Sequence, residues 1–176
     1  MKIEIKKIVS WSAVVLWMLL IFAFSAQPAV ESEKVSHGLV AIIIRYIGNL
    51  IISTGIDISW LDGIVRKSAH AFLFCVLAVL VANALLTTGV KGLRAFIFAF
   101  VVTVLYACSD ELHQLFVPGR AGMLSDVVID SLGAIAGLCL AGAVYRSTMC
   151  KKINISDKIN IVIYKLNVFK SLRSNS

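Results

Sequence analysis

Four apolar segments are each close to the length that crosses a lipid bilayer, and they constrain the fold more than any other feature of the sequence. About 20 residues of helix span the hydrocarbon core, where only helices and closed barrels satisfy the backbone. The chain is 59% hydrophobic and only 15% charged, which is more apolar than a soluble domain of this length. The sequence predicts an all-α, membrane-embedded four-helix bundle, with spans at about residues 8–24, 68–87, 93–108 and 127–145.

A fifth stretch, residues 35–53, is apolar enough to span but carries a polar stripe. His37, Ala41, Arg45 and Asn49 recur every four residues, with Ile and Leu around the rest. Such a pattern is typical of an amphipathic helix that lies in the membrane plane or re-enters the membrane.

The distribution of basic residues favours four spans over five, because cytoplasmic loops carry an excess of Lys and Arg. With four spans and the N-terminus inside, 12 basic residues are cytoplasmic and five are outside. A fifth span leaves six inside and 11 outside. We therefore expect both termini in the cytoplasm and the amphipathic segment 35–53 at the outer leaflet. The five outside residues are Lys34, Arg45, Arg66, Lys67 and Arg120.

The domain organisation follows from these spans. Residues 1–145 form the membrane domain, and residues 146–176 form a basic cytoplasmic tail that alternates Lys with Ile, Val and Phe. Such a tail adheres to anionic lipid. No soluble basic module is visible, so nucleic acid is not an expected partner.

The last span contains a row of small residues, Gly133, Gly137 and Ala141. Small residues at intervals of four let two helix backbones approach closely in a membrane. We expect this row to pack against a neighbouring helix.

Polar and ionisable residues collect at the outer ends of the spans. Charge at membrane depth is costly, so ionisable residues there indicate function. Spacings of three or four residues place several of them on common helix faces, and four-helix bundles build their sites in this way. The candidate site residues are Ser25, Gln27, Lys67, His70, Asp110, Glu111, His113, Gln114, Arg120, Asp126 and Asp130.

Several kinds of chemistry are compatible with this set. His70, His113 and one or two carboxylates have the ligand types for a zinc ion, although no strong ligand motif is present and no cofactor is predicted. Acid/base or ligand-binding chemistry without a metal is a second interpretation, with an anionic head group held by Lys67 or Arg120. A third is purely structural pairing between helix ends. Ser25 as a nucleophile assisted by His70 is a further alternative.

Three sequence motifs resemble the VanZ-like family of bacterial integral membrane proteins. The first is Phe24-Ser25-Ala26-Gln27, and the second is Arg66-Lys67-Ser68-Ala69-His70. The third and longest runs from Ser109-Asp110-Glu111-Leu112-His113-Gln114 to Pro118-Gly119-Arg120 and continues through Asp126 and Asp130. The resemblance covers most of residues 10–145, but not the Lys-rich tail.

The resemblance implies a multispanning protein of the bacterial cytoplasmic membrane. The family takes its name from a protein that gives low-level resistance to teicoplanin, a glycopeptide with a lipid tail. We therefore expect action at the outer membrane face on an amphiphilic envelope component, with lowered susceptibility to lipoglycopeptides such as teicoplanin. The expected partners are membrane lipids and such an amphiphile, and both a monomer and a homo-oligomer are compatible with the sequence.

Specific roles follow for the site residues. Lys67 and Arg120 would hold an anion, and Asp110, His113 and His70 would be polar or proton-transferring groups. Asp126 and Asp130 would be orienting groups or charged partners. The alternative is a membrane-embedded hydrolase or transferase, with or without a metal, that acts on a lipid-linked substrate.

Overall fold

The computed structural model describes residues 2–32, 34, 37–38, 40–42, 45 and 58–148. Regular secondary structure in these residues is helical throughout. The four long helices are α1 (Lys2–Ser25), α2 (Ile58–Thr87), α3 (Leu93–Gln114) and α4 (Leu124–Thr148).

Within the described residues, four helices are long and apolar enough to cross a membrane. The all-α class and the four helices able to cross a membrane are therefore confirmed. All four helices run further than the predicted spans; at the site end, α2 begins at Ile58 instead of Ser68 and α3 ends at Gln114 instead of Cys108. Hydropathy falls at the first charged residue, but the backbone hydrogen bonds of a helix continue past it. The polar residues at these two ends consequently lie on helices and not on a connecting link.

Residues Met1–Leu138 form one compact unit, and Cys139–Ser176 form a second. The first unit contains all the candidate site residues. In the second unit, residues 139–148 complete α4. The rest of the predicted basic tail lies outside the described residues.

The core of the first unit is built by α2. Phe74 and Leu77 of this helix are fully buried, and they belong to one apolar cluster with Val14 and Ile21 of α1 and Ala107 of α3. Many large apolar side chains elsewhere on the helices are exposed. In a membrane, these exposed side chains face lipid at no hydrophobic cost.

Side-chain to backbone hydrogen bonds join α1 to both of its neighbours. Trp17 Nε1 donates to the carbonyl oxygen of Leu73 on α2 at 2.9 Å. The Tyr106 hydroxyl of α3 donates to the carbonyl oxygen of Met18 at 2.6 Å. These bonds position α1 against α2 and α3, in addition to its apolar contacts with the core.

Helices α2 and α4 approach closely at two glycines. A Cβ atom at Gly133 would overlap the backbone of Ala71, and one at Gly137 would overlap the carbonyl oxygen of Cys75. The predicted close packing of the small-residue row is confirmed at these two positions.

The described residues between positions 29 and 45 are helical. Val40 is buried, whereas His37, Ala41 and Arg45 are exposed, which is the polarity expected of an amphipathic helix. His37 Nδ1 lies 2.7 Å from Asp62 Oδ2, so this segment contacts the start of α2. Asn49 and the remainder of the predicted stretch lie outside the described residues, and its location at the outer leaflet stays a prediction.

Candidate functional site

The chain direction brings the polar ends of the helices together. Helices α1 and α3 end at Ser25 and Gln114, while α4 begins at Leu124 after a short connection from α3. The early turns of α2 lie at the same end, since α2 packs against both α1 and α3. The polar side chains at this end form several hydrogen-bonded groups around a cavity.

The first group joins α1 to α3. Ser25 Oγ donates to Asp110 Oδ2 at 2.6 Å, and Gln114 Nε2 donates to the same oxygen at 3.1 Å. All three side chains are buried. Because the Ser25 hydroxyl is engaged and buried, it is held as a hydrogen-bond donor, and no described histidine bonds to it as the nucleophile alternative would require.

Arg120 fastens the connection between α3 and α4 to the end of α1. Its Nε donates to the carbonyl oxygen of Gln27 at 3.0 Å, and its Nη2 donates to that of Phe24 at 3.3 Å. These carbonyl groups lie in the last turn of α1 and just after it, where a cation is favourable. Gln27 thus contributes its backbone to Arg120.

Glu111 organises the same connection from the other side. Its Oε2 accepts a hydrogen bond from the backbone N–H of Met123 at 2.8 Å. The side chain is 6% exposed. The carboxylate therefore fixes the start of α4 relative to the end of α3.

Lys67 forms an ion pair with Asp126. The distance from Lys67 Nζ to Asp126 Oδ1 is 2.5 Å, and Ser125 Oγ donates to the same oxygen at 3.2 Å. The charge of Lys67 is thus balanced by a carboxylate of α4, and the pair joins α2 to α4 at the edge of the site. That Lys67 holds an anion stays a prediction.

A polar cavity of about 210 Å³ lies among these groups. Its wall contains side chains from α2, α3, α4 and the connection between α3 and α4. Seven of the predicted site residues line it, together with Arg66. These seven are Lys67, His70, Glu111, Gln114, Arg120, Asp126 and Asp130.

A second cavity, of about 270 Å³, adjoins the first and is mainly apolar. Arg66, His70 and Arg120 line both cavities. The other lining residues of the second cavity include Phe24, Gln27, Val65, Ala69, Phe72 and Leu73. A polar compartment and an apolar compartment therefore share one wall.

That shared wall carries two positive charges. Among the described residues, neither Arg66 nor Arg120 forms an ion pair with a carboxylate. Burial lowers the pKa of the Arg120 guanidinium, and the nearby charge of Arg66 lowers it further. Arginine side chains are positively charged in proteins. Two neighbouring cations without a direct counter-ion favour an anionic ligand.

Asp130 presents the opposite chemistry deeper along α4. It is 1% exposed, and neither carboxyl oxygen has a hydrogen-bond partner among the described residues. A buried carboxyl group without a partner is costly. A carboxyl group buried at this depth must be paired, protonated or next to a cavity. Asp130 lies in the cavity wall and so meets this requirement.

The two predicted histidines differ in position. His70 lines both cavities, whereas the His113 ring stacks on Phe22, with ring centroids 4.4 Å apart. His113 lines neither cavity, and its Nε2 is buried without a partner. In the part of the chain that the structure describes, no group of three or more His, Cys, Asp or Glu side chains is arranged to hold a metal ion.

The sequence-based set of site residues omitted Arg66. Its position next to Lys67 and four residues before His70 gave a usable signal, since His70 is on the same helix face.

A protein-family model with the description VanZ/LLP1 matches residues 10–145 of the chain. No curated protein and no solved structure matches it. The matched range includes every residue that lines the two cavities.

Proposed function

The chain belongs to the VanZ/LLP1 family, and we propose that it binds the anionic head group and the apolar tail of one amphiphilic envelope molecule. The observation that carries this proposal is the pair of adjoining cavities, one polar and one apolar, with Arg66, His70 and Arg120 in their common wall. A teicoplanin-like lipoglycopeptide and a membrane lipid both have the required combination of head and tail.

The charges favour an anionic head group at the common wall. The guanidinium groups of Arg66 and Arg120 are close enough to influence each other electrostatically. A phosphate or carboxylate between them would relieve their repulsion and accept paired N–H donors from each arginine. Lys67 contributes less to such an anion, since Asp126 already holds it.

The second cavity supports an apolar tail. Phe24, Phe72 and Leu73 line it, and Phe72 is 63% exposed. In a bilayer, this surface is open to the hydrocarbon. An acyl chain could therefore remain in lipid contact while its head group reaches the arginines.

The site is proposed to open at the outer face of the bacterial cytoplasmic membrane. This orientation rests on the 12 basic residues that four spans place inside, compared with five outside. Action on an envelope component requires this orientation, because such a component is exposed outside the cell. Lowered susceptibility to lipoglycopeptides would follow from capture of the drug at this face.

A hydrolase or transferase remains the second candidate function, and one observation favours it. His70 is the only described histidine in the walls of the two cavities, and Glu111 and Asp130 are in the polar one. These groups could transfer a proton near a bound head group. Release of product from a lipid-linked substrate, lost in His70→Gln but not in His113→Gln, would favour the enzyme.

The proposal is tested by drug susceptibility of a Gram-positive host that expresses the wild-type chain, Arg66→Gln or Arg94→Gln. Arg94 is the matched control, since it is an exposed arginine at the start of α3, at the opposite end from the site. We expect the wild-type chain and Arg94→Gln to protect against teicoplanin more than against vancomycin, which lacks the lipid tail. Arg66→Gln should lose that protection.

Membrane levels of each variant are checked by immunoblotting. Equal protection by Arg66→Gln and Arg94→Gln would contradict a role for the arginine wall. Equal susceptibility with and without the wild-type protein would contradict the lipoglycopeptide part of the proposal.

A further inference from the structure

The wall of the polar cavity contains acidic side chains that the binding of an anion does not use. The charged groups that act on the Asp130 carboxyl are the carboxyl groups of Glu111, Asp110 and Asp126 and the ammonium group of Lys67. Three carboxyl groups thus lie within electrostatic range of Asp130, and the one ammonium group is already paired with Asp126.

The Asp130 side chain lies in the cavity wall without a hydrogen-bond partner among the described residues. It is 1% exposed, and both of its oxygens lack a hydrogen bond among the described residues. Of the Glu111 oxygens, Oε2 accepts a hydrogen bond from the backbone N–H of Met123, and no bond to Oε1 is seen within the described part of the chain. An enclosed carboxyl group of this kind is neutralised either by a proton or by a cation that approaches it.

We infer that the site takes a zwitterionic head group, with its anionic part at Arg66 and Arg120 and its ammonium group at the acidic wall of Glu111 and Asp130. This inference rests on the proposed function and specifies the class of head group. The two arginines lie in the wall shared with the apolar cavity, whereas Glu111 and Asp130 line the polar cavity alone. An amphiphile that enters tail-side would therefore meet the arginines first and the carboxyl groups beyond them.

An ammonium group fits this wall better than a metal ion. The described residues offer no group of three His, Cys, Asp or Glu side chains that could hold a metal. An ammonium group needs fewer ligands, because each of its N–H bonds can donate to one carboxylate oxygen. An aminophospholipid and an amino-bearing lipoglycopeptide share this chemistry, and so does a free head group without a tail.

The test compares two phospholipids by native mass spectrometry of the detergent-purified full chain. Phosphatidylethanolamine carries a phosphate and an ammonium group, and phosphatidylglycerol carries the phosphate alone. We expect the wild-type protein to bind phosphatidylethanolamine about tenfold more tightly, the effect of one charge-assisted hydrogen bond. Asp130→Asn and Glu111→Gln should each remove most of this preference, because they weaken binding of phosphatidylethanolamine more than binding of phosphatidylglycerol.

Ser131→Ala is the matched control, because the Ser131 hydroxyl bonds to the carbonyl oxygen of Val127 in its own helix and does not line the cavity. It should keep the wild-type preference. Glycerophosphoethanolamine, which has the head group without a tail, distinguishes a lipid ligand from a soluble one. If this compound binds more weakly than the intact lipid, the result supports a lipid as the ligand. Equal binding of the two overturns the assignment of a lipid.

The possible failures are distinguishable. Equal wild-type binding of the two lipids, unchanged in Asp130→Asn and Glu111→Gln, overturns the zwitterion inference and leaves the proposed function intact. Absence of binding of both lipids and of a lipoglycopeptide contradicts the proposed function itself. A preference that requires added Mg²⁺ or Ca²⁺ and disappears with a chelator overturns the assignment of an ammonium group.

Discussion

Replacement of Gly133 by alanine is predicted to separate α4 from α2 at the level of the site. The new Cβ would overlap the carbonyl oxygen of Ala71 and would lie 2.8 Å from its carbonyl carbon, whereas ordinary contact begins at 3.4 Å. The helices must therefore move apart locally by more than the roughly 0.6 Å that the carbon contact alone requires. The atoms in contact belong to helix backbone, which cannot rotate away as a side chain can.

Gly63 in α2 provides the matched control, because no atom lies within 4 Å of a Cβ at that position. Both substitutions gain a similar helix propensity, about 0.5–1 kcal/mol. The difference between Gly133→Ala and Gly63→Ala therefore isolates the cost of overpacking, which is typically about 1–3 kcal/mol. Gly63→Ala should be neutral or stabilising, and Gly133→Ala should be less stable by that difference.

The assay is reversible unfolding of the detergent-solubilised protein, with the free energy of unfolding measured for both variants under the same conditions. Ligand binding provides a second readout, since a shift at Gly133 displaces Asp130, one turn away on the same helix. Equal stabilisation by the two alanines would refute the close approach of α2 and α4.

Two further predictions concern the hydrogen bonds that join α1 to the other helices. Asp110→Ala should lower the free energy of unfolding by about 1–2 kcal/mol, since it leaves the buried Ser25 hydroxyl without its acceptor. Ser109→Ala is the control, because it removes a hydroxyl that bonds within its own helix. An equal loss of stability in both variants would contradict the reasoning. Trp17→Phe should cost about 1 kcal/mol through loss of the indole N–H bond to α2, measured in the same unfolding assay, and an unchanged stability would show that this bond contributes nothing.

The helical class was predictable because membrane spans are determined by the local sequence. Length and hydropathy alone indicate a span, and they found all four long helices. The helix ends were not predictable in the same way. Polar residues such as Arg66 and Asp110 lower the hydropathy but continue the helix, because the surrounding protein supplies a cavity or a hydrogen-bond partner.

Site membership was partly predictable from helical spacing. The pairing of Asp126 with Lys67 is a contact between two helices, and the sequence offered Arg120 and Lys67 equally as anion holders. Spacing within one helix could not decide which basic residue meets a carboxylate. The stacking of His113 on Phe22 likewise depends on the rotation of α3 relative to α1, which no local pattern determines.

The most direct test of the central claim is the affinity of the purified protein in nanodiscs for octyl phosphate, compared with that for ethyl phosphate. The account predicts tighter binding of octyl phosphate, because only this ligand fills both cavities. Arg66→Gln should weaken that binding about tenfold or more, and Arg94→Gln should leave it unchanged. Equal affinity for the two phosphates, or equal affinity of Arg66→Gln and Arg94→Gln for octyl phosphate, would contradict a joint site for head group and tail.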